Sequence, residues 1–301
     1  MYSRKLILLV SHLMVFAVLL QAQVSHSLFI AGHDFTGILG EEGEVIWDSE
    51  RPHARDGYVL ENGNVLICWK DEVVEYDRDH KVLFSYKKSS EEVELGTAVR
   101  LDNGNTLITE SGNAPRIIEV DMKGKIVQRT TLEPETDNIH MQTRMARKLE
   151  NGNYLVPHLL AFKVKEYQAD GTIVKTFTTD REELGGREGR NWPFTAIRLE
   201  NGNTLVTLTN GNKVVELDPE GQIVWKVTNE DFEGKPLADP CGAQRLPNGN
   251  TVIASYGAKE GIRLLEIDRE KNIVWTHSAH NAHHFQILTT NGEKIEGKPL
   301  K

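Results

Sequence analysis

The chain has 301 residues, 26% charged and 39% hydrophobic, close to the globular average, so it can bury a core and is not disordered by composition. Its formal net charge of −9 becomes −11 without residues 1–22, leaving 33 basic against 44 acidic side chains, and an acidic chain without a basic stripe argues against nucleic acid or anionic membranes as partners. The two cysteines, Cys68 and Cys241, fall at repeat positions far apart in the chain and indicate no disulfide framework.

The first segment starts with Arg4 and Lys5, continues as the apolar run Leu6 to Leu20 broken by Ser11 and His12, and ends on Ala22. That order is a signal peptide. The run is short for a bilayer span and no stop-transfer pattern follows, so an anchor is the lesser reading. Residues 23–301 are expected to be one exported domain, periplasmic or secreted, without a membrane span.

The next stretch, Ser27 to Ala31, Thr36 to Leu39 and Glu44 to Trp47, reads as three strands without a preceding partner. From there the chain repeats. Asn62-Gly63-Asn64, Asn103-Gly104-Asn105, Asn151-Gly152-Asn153, Asn201-Gly202-Asn203 and Asn248-Gly249-Asn250, with a degenerate Asn291-Gly292-Glu293, are spaced by 41, 48, 50, 47 and 43 residues. This is the period of β-propeller blades. Each tripeptide sits between two apolar runs, such as Thr195–Leu199 and Thr204–Leu208, and Asn-Gly in that setting predicts a type I′ hairpin joining strands A and B. Strand C then ends in Glu-x-Asp, as in Val215-Glu216-Leu217-Asp218. A Gly-containing turn leads to strand D, as in Gln222 to Trp225. The repeated Glu and Asp are assigned to turn structure because they recur blade after blade. Trp47, Trp225 and Trp275, at the ends of strand D, are expected to pack between blades. The last strand, Phe285 to Thr289, has a strand-A pattern with little after it, so both chain ends are expected to share one blade. The predicted fold is all-β: a six-bladed propeller of four-stranded antiparallel blades closed by shared N- and C-terminal strands.

Over residues 27–293 these repeats resemble those of bacterial propellers grouped with PQQ-like and arylsulfotransferase-like proteins. The resemblance rests on blade-building residues and implies fold. Quinoprotein dehydrogenases of that wider group have eight blades and a cofactor-flanking cysteine pair absent here, and arylsulfotransferases are much longer. Neither PQQ nor dehydrogenase activity is carried over, and no cofactor is predicted.

Strand A lines the channel of a propeller, and the connection entering it crosses one face. Five residues before each tripeptide the chain keeps small packing residues, Gly57, Ala98, Ala146, Ala196 and Ala243, with Gln286 in the last copy. Seven to nine residues before it the copies diverge: His53 and Arg55, Glu94, Gln142 and Arg144, Trp192 and Phe194, Asp239 and Cys241, His283 and His284. A pseudo-symmetric ring that diverges at one rim is what a non-repetitive ligand requires; ordinary loop variability is the alternative. The catalytic candidates are His53, His140, His283 and His284, and the ligand-binding candidates are Arg55, Arg144, Trp192 and Asp239. A divalent metal would need convergent ligands, for which His280, His283 and His284 are the weak candidates, but no zinc spacing is present and no metal site is assigned. Gly-x-Ser-x-Gly, P-loop and His-Glu-x-x-His motifs are missing. The leading reading is an exported propeller binding a small-molecule or glycan ligand at its channel mouth. The alternatives are a lyase, hydrolase or sulfotransferase using rim His and Arg on an acidic or sulfated substrate, and a scaffold for a protein partner.

Overall fold

The computed structural model describes residues 24–298; the segment read as a signal peptide lies outside the described residues. The described chain opens with β1 (His26–Ala31), β2 (Thr36–Leu39) and β3 (Val45–Asp48). Blade one follows as β4 (Asp56–Val59), β5 (Val65–Cys68), β6 (Glu72–Tyr76) and β7 (Val82–Lys87), and blade two as β8 (Glu94–Arg100), β9 (Thr106–Ser111), β10 (Arg116–Val120) and β11 (Ile126–Thr131). Blade three holds β12 (Arg147–Lys148), β13 (Tyr154–His158), β14 (Lys163–Tyr167) and β15 (Ile173–Thr178), and blade four β16 (Asn191–Arg198), β17 (Thr204–Asn210), β18 (Lys213–Leu217) and β19 (Ile223–Thr228). Blade five holds β20 (Pro240–Arg245), β21 (Thr251–Ser255), β22 (Leu264–Ile267) and β23 (Ile273–His277), after which come β24 (His284–Thr290) and β25 (Glu293–Lys294).

Six antiparallel sheets form a six-bladed propeller, and the closing blade has the order β25-β24-β1-β2-β3, so both chain ends share it. It carries a fifth strand, β25, where four were expected. Apolar clusters fill the spaces between successive blades all round the ring. Phe29 and Trp47 meet Ile67 and Trp69 between the closing blade and blade one, and Leu28, Phe285 and Ile287 meet Val252 and Leu264 at blade five. Trp47 is buried in the first of these, while Trp225 and Trp275 cover clusters on either side of blade five, so all three pack between blades.

The Asn-Gly turns differ from expectation. In the first five copies only the glycine has positive φ, from +84° to +89°. The Gly63 N–H donates to the Leu60 carbonyl and the Leu60 N–H to the Asn64 carbonyl, and the other copies repeat both bonds. This is a type I turn with a left-handed glycine at a bulge, a three-residue hairpin loop. The first Asn instead accepts a bond from the N–H two residues on, at 3.0 Å for Asn62 and Asn64. Only the sixth copy, with Asn291 at +51° and Gly292 at +82°, has the two positive φ values of a type I′ turn, and it connects β24 to the added β25.

The repeated strand-C glutamates are structural. Glu75 accepts from Asn64 (2.7 Å) and pairs with Arg100 of the next blade (2.5 Å), and Glu216 does the same with Asn203 and Arg245. Burial works against the charge of Glu216, but bonds from Asn203, Arg269 and Arg245 outweigh it and hold its pKa near about 2. Lys148 and Arg198 occupy the same register against Glu119 and Glu166. Blades one to four are thereby each tied to their successor by charge-assisted bonds as well as by apolar packing.

Candidate functional site

Strand A runs away from the face where the D-to-A connections enter, so the Asn-Gly and Asp-Gly turns gather on one face and the B-to-C and D-to-A connections on the other. The first face is repetitive. The second carries the divergent residues and most of the backbone strain. Of the twelve described non-glycine residues with positive φ, all but His80, Lys271 and Asn291 lie in, or for Asn210 at the strand end beside, connections on this second face, among them His53 at +67° and Asp239 at +45°.

Arg55, entering β4, and Glu94, opening β8, form the polar centre of this mouth. Arg55 donates to the Glu94 carboxylate at 2.7 Å and to the Leu95 carbonyl at 2.8 Å. Lys70 and His140 also reach Glu94, at 2.9 and 3.1 Å. Burial opposes the charge of Glu94, but the bonds from His140, Lys70 and Arg55 hold its pKa far below the ordinary carboxylate range.

Arg144 has no such partner. It is 5% exposed, it donates to the Thr143 carbonyl at 2.9 Å, and no carboxylate pairs with it among the described residues. Burial, reinforced by the nearby Arg55 charge, lowers its pKa from 12.5 to about 9, against the opposing effects of Glu94 and Cys241. A guanidinium offers five donors, so this one retains capacity for an acceptor that the protein does not supply.

His283 completes the centre. Its Nδ1 faces the Ala54 carbonyl at 3.3 Å, which requires the proton on Nδ1 and leaves Nε2 as an acceptor. Burial first, then Arg144 and Arg55, push its pKa down to about 3, so the ring is neutral. Tyr256 stacks on it at 3.9 Å, and the Phe194 ring lies parallel to it at 6.1 Å. Met145, Leu159, Phe194 and Cys241 form an apolar cluster of their own, with Met141, Trp192 and Tyr256 packed against it. Desolvation raises the Cys241 thiol far above its ordinary pKa, so it acts there as a small apolar group.

The structure thus brings Arg55, Arg144, His140, His283 and Trp192 to one mouth. It does not bring the other sequence candidates with them. His284 is fully buried, with Nε2 3.7 Å from Asp56, which Arg147 also engages at 3.2 Å. His53 is exposed at the edge, its Nδ1 2.8 Å from Nδ1 of His33. Asp239 accepts from the Asn210 N–H at 2.9 Å and tethers one connection to another. His280 turns outward to Asp34 at 3.3 Å and stacks on Phe35. His280, His283 and His284 therefore point to three different partners, and no group of three His, Cys, Asp or Glu among the described residues is arranged to hold a metal.

Comparison with known families decides the chain's affiliation, because a model described as Mal s 1 allergenic protein-like matches residues 31–248, more than two thirds of the sequence. The chain belongs to that family. The Mal s 1-like match spans Arg55, Glu94, Arg144, Trp192 and Cys241 of the mouth but stops before Tyr256 and His283. Among solved structures, this Mal s 1-like chain is similar to a protein of unknown function from Bacteroides caccae, at 24% identity and TM-score 0.76, over 87% of this chain and 98% of that one. It is also similar to a streptogramin B lyase (12%, TM-score 0.59, 88% and 86%). A catalytically inactive virginiamycin B lyase from Staphylococcus aureus with quinupristin is a further neighbour (14%, TM-score 0.57, 83% and 85%). At these identities the likeness is one of fold. No curated protein matches the chain.

Sequence reasoning missed Tyr256 and Met141. Tyr256 lies in the connection after strand B, whereas the divergent positions of the repeat lie on the approach to strand A. Its signal was length: eight residues separate β21 from β22, where the other blades use two to four.

Proposed function

We propose that the chain is an exported propeller whose mouth binds a small ligand through a carboxylate or sulfate group, with an acidic carbohydrate as the leading class. The observation that carries this reading is Arg144, a buried guanidinium without a carboxylate partner, beside an arginine that has one. Leaving a buried charge unpaired is costly, so such a group is kept where something from outside completes it. Arg55 is neutralised by Glu94 and fixes the geometry. Tyr256, Phe194 and Trp192 supply apolar walls, and the Nε2 of neutral His283 can accept a bond from a ligand hydroxyl.

A thermal-shift panel of carboxylates, sulfated sugars and neutral sugars tests the reading. Anionic members are expected to raise the melting temperature of the wild-type protein and to leave Arg144→Gln unmoved. Stabilisation by neutral sugars alone, or equal shifts in the variant, refutes it.

The 3.1 Å contact between His140 and Glu94 supports an enzymatic second reading, in which an oriented imidazole at the mouth moves a proton on an acidic substrate. His283 suits that role poorly, since a pKa of about 3 makes it a weak base. Turnover of any bound acid that disappears in His140→Asn while binding persists would favour this reading.

A further inference from the structure

A cleft of about 430 Å³ opens beside the mouth, between the long blade-five connection and the closing blade. Its size falls in the range of small-molecule sites, about 300–1,000 Å³. Tyr256, Lys259, Arg263, His33, Asp34 and Asn281 line it. One of these residues joins it to the mouth: Tyr256 stacks on His283.

The charges in this cleft are unbalanced. Arg263 donates to the Lys259 carbonyl at 3.2 Å and stands 3.8 Å from Asp34, while its Nε is buried without a partner. Asp34 is shared with His280 at 3.3 Å. Lys259 is exposed and makes no ion pair among the described residues. Two full positive charges thus face one carboxylate, and one guanidinium donor lacks an acceptor. Arg263 differs from Arg144 in having a carboxylate within reach, yet it too keeps a donor without an acceptor on the same face.

We infer that the cleft is a second subsite, so that the ligand is an extended one bearing anionic groups on successive units, the chemistry of an acidic oligosaccharide. The inference rests on the mouth reading and adds length to it. The mouth takes one anionic unit against Arg144, and the cleft takes a second against Arg263 and Lys259, with Tyr256 as the wall between them. Asn281 and Asp34 offer hydrogen-bonding groups for hydroxyls at the second position.

Calorimetric titration with D-galacturonate, trigalacturonate and neutral maltotriose tests it, using wild type, Arg263→Gln and Lys259→Gln. In the wild type the acidic trimer is expected to bind at least about tenfold more tightly than the monomer, because the second contact becomes intramolecular. Both variants are expected to lose most of that advantage while binding the monomer as before. Lys259 is exposed, so its variant keeps the test decisive even if Arg263→Gln folds poorly. Monomer binding with no gain for the trimer overturns the cleft inference and leaves the mouth reading standing, as does a gain that survives in both variants. An equal gain for maltotriose overturns the anionic assignment. Failure of both acids to bind the wild type overturns the mouth reading and this inference together.

Discussion

Replacing Arg144 by Met should stabilise the protein while removing its ligand. The pKa of Arg144 falls from 12.5 to about 9, chiefly through burial, so its charged form is disfavoured by about 5 kcal/mol at 1.36 kcal/mol per unit. That is an upper limit. The Met side chain keeps much of the packing, and the bond to the Thr143 carbonyl that it forfeits contributes about 1 kcal/mol. A net gain of about 1–4 kcal/mol is expected, as when apolar groups replace buried ionic ones. In a domain of this size that amounts to a rise of about 2–10 °C in melting temperature. The His283 pKa should climb at the same time, because Arg144 is the main charge depressing it. Differential scanning calorimetry measures the first effect and an NMR titration of the imidazole the second. A melting temperature lowered by Arg144→Met, with His283 unmoved, would show that Arg144 is a structural cation and refute the reasoning.

Acid stability should reflect buried histidines before carboxylates. Burial lowers His158 and His283 to about 3 and His277 to about 4, so between pH 6.5 and those values the unfolded chain binds the extra protons. The contribution of the histidines is complete above pH 6.5 and falls below it, whereas that of Glu135 and Glu216, held at about 2, is full above about 4.5 and is lost only as the pH falls from there toward about 2. Melts from pH 7 to 4 should show a decline that His158→Gln and His283→Phe each reduce; a flat profile contradicts this. Gly202→Ala, at φ +85° where the added carbon would make only ordinary contact with Pro219 at 3.7 Å, should cost about 1 kcal/mol, and Gly57→Ala, whose added carbon would meet the Leu66 carbonyl and the Phe29 ring at 2.8 Å, about 1–3 kcal/mol or more. Urea unfolding ranks them, and equal costs would show that the axial packing is loose. Deleting residues 285–301 strips β24 from β1 and uncovers the pocket of Phe285 and Ile287, so it should cost more than about 5 kcal/mol; an unchanged melting curve contradicts closure by shared strands.

The blades were legible because turn chemistry is local. Asn-Gly-Asn and Asp-x-x-Gly mark hairpins whatever surrounds them, and the shared terminal blade followed from strand A being absent at one end and present at the other. The turn type was not legible, since Asn-Gly serves both a type I′ loop and a type I turn with a bulged glycine; whether two or three residues bridge the strands depends on register, which only pairing fixes. The series of interblade ion pairs was half legible. Recurrence marks the glutamates as structural, but it does not connect them to Arg100, Lys148, Arg198 and Arg245, three residues before the second to fifth tripeptides.

At the site, position along the repeat placed Arg55, Arg144, His140, Trp192 and His283 on one face. It could not show that Glu94 neutralises Arg55 and leaves Arg144 alone, because that depends on side-chain reach between blades. Nor could it separate His283 from His284. Adjacent residues of a strand point opposite ways, and only the axial Asp56 shows which one turns inward.

The central claim, that an anion completes Arg144 at the mouth, is tested most directly by diffraction from crystals soaked with selenate, a sulfate analogue visible by its anomalous signal. The account predicts selenium within hydrogen-bonding reach of the Arg144 guanidinium, and its loss in Arg144→Gln crystals. Selenate confined to other surface cations, with the Arg144 position vacant in accessible crystals, would contradict it.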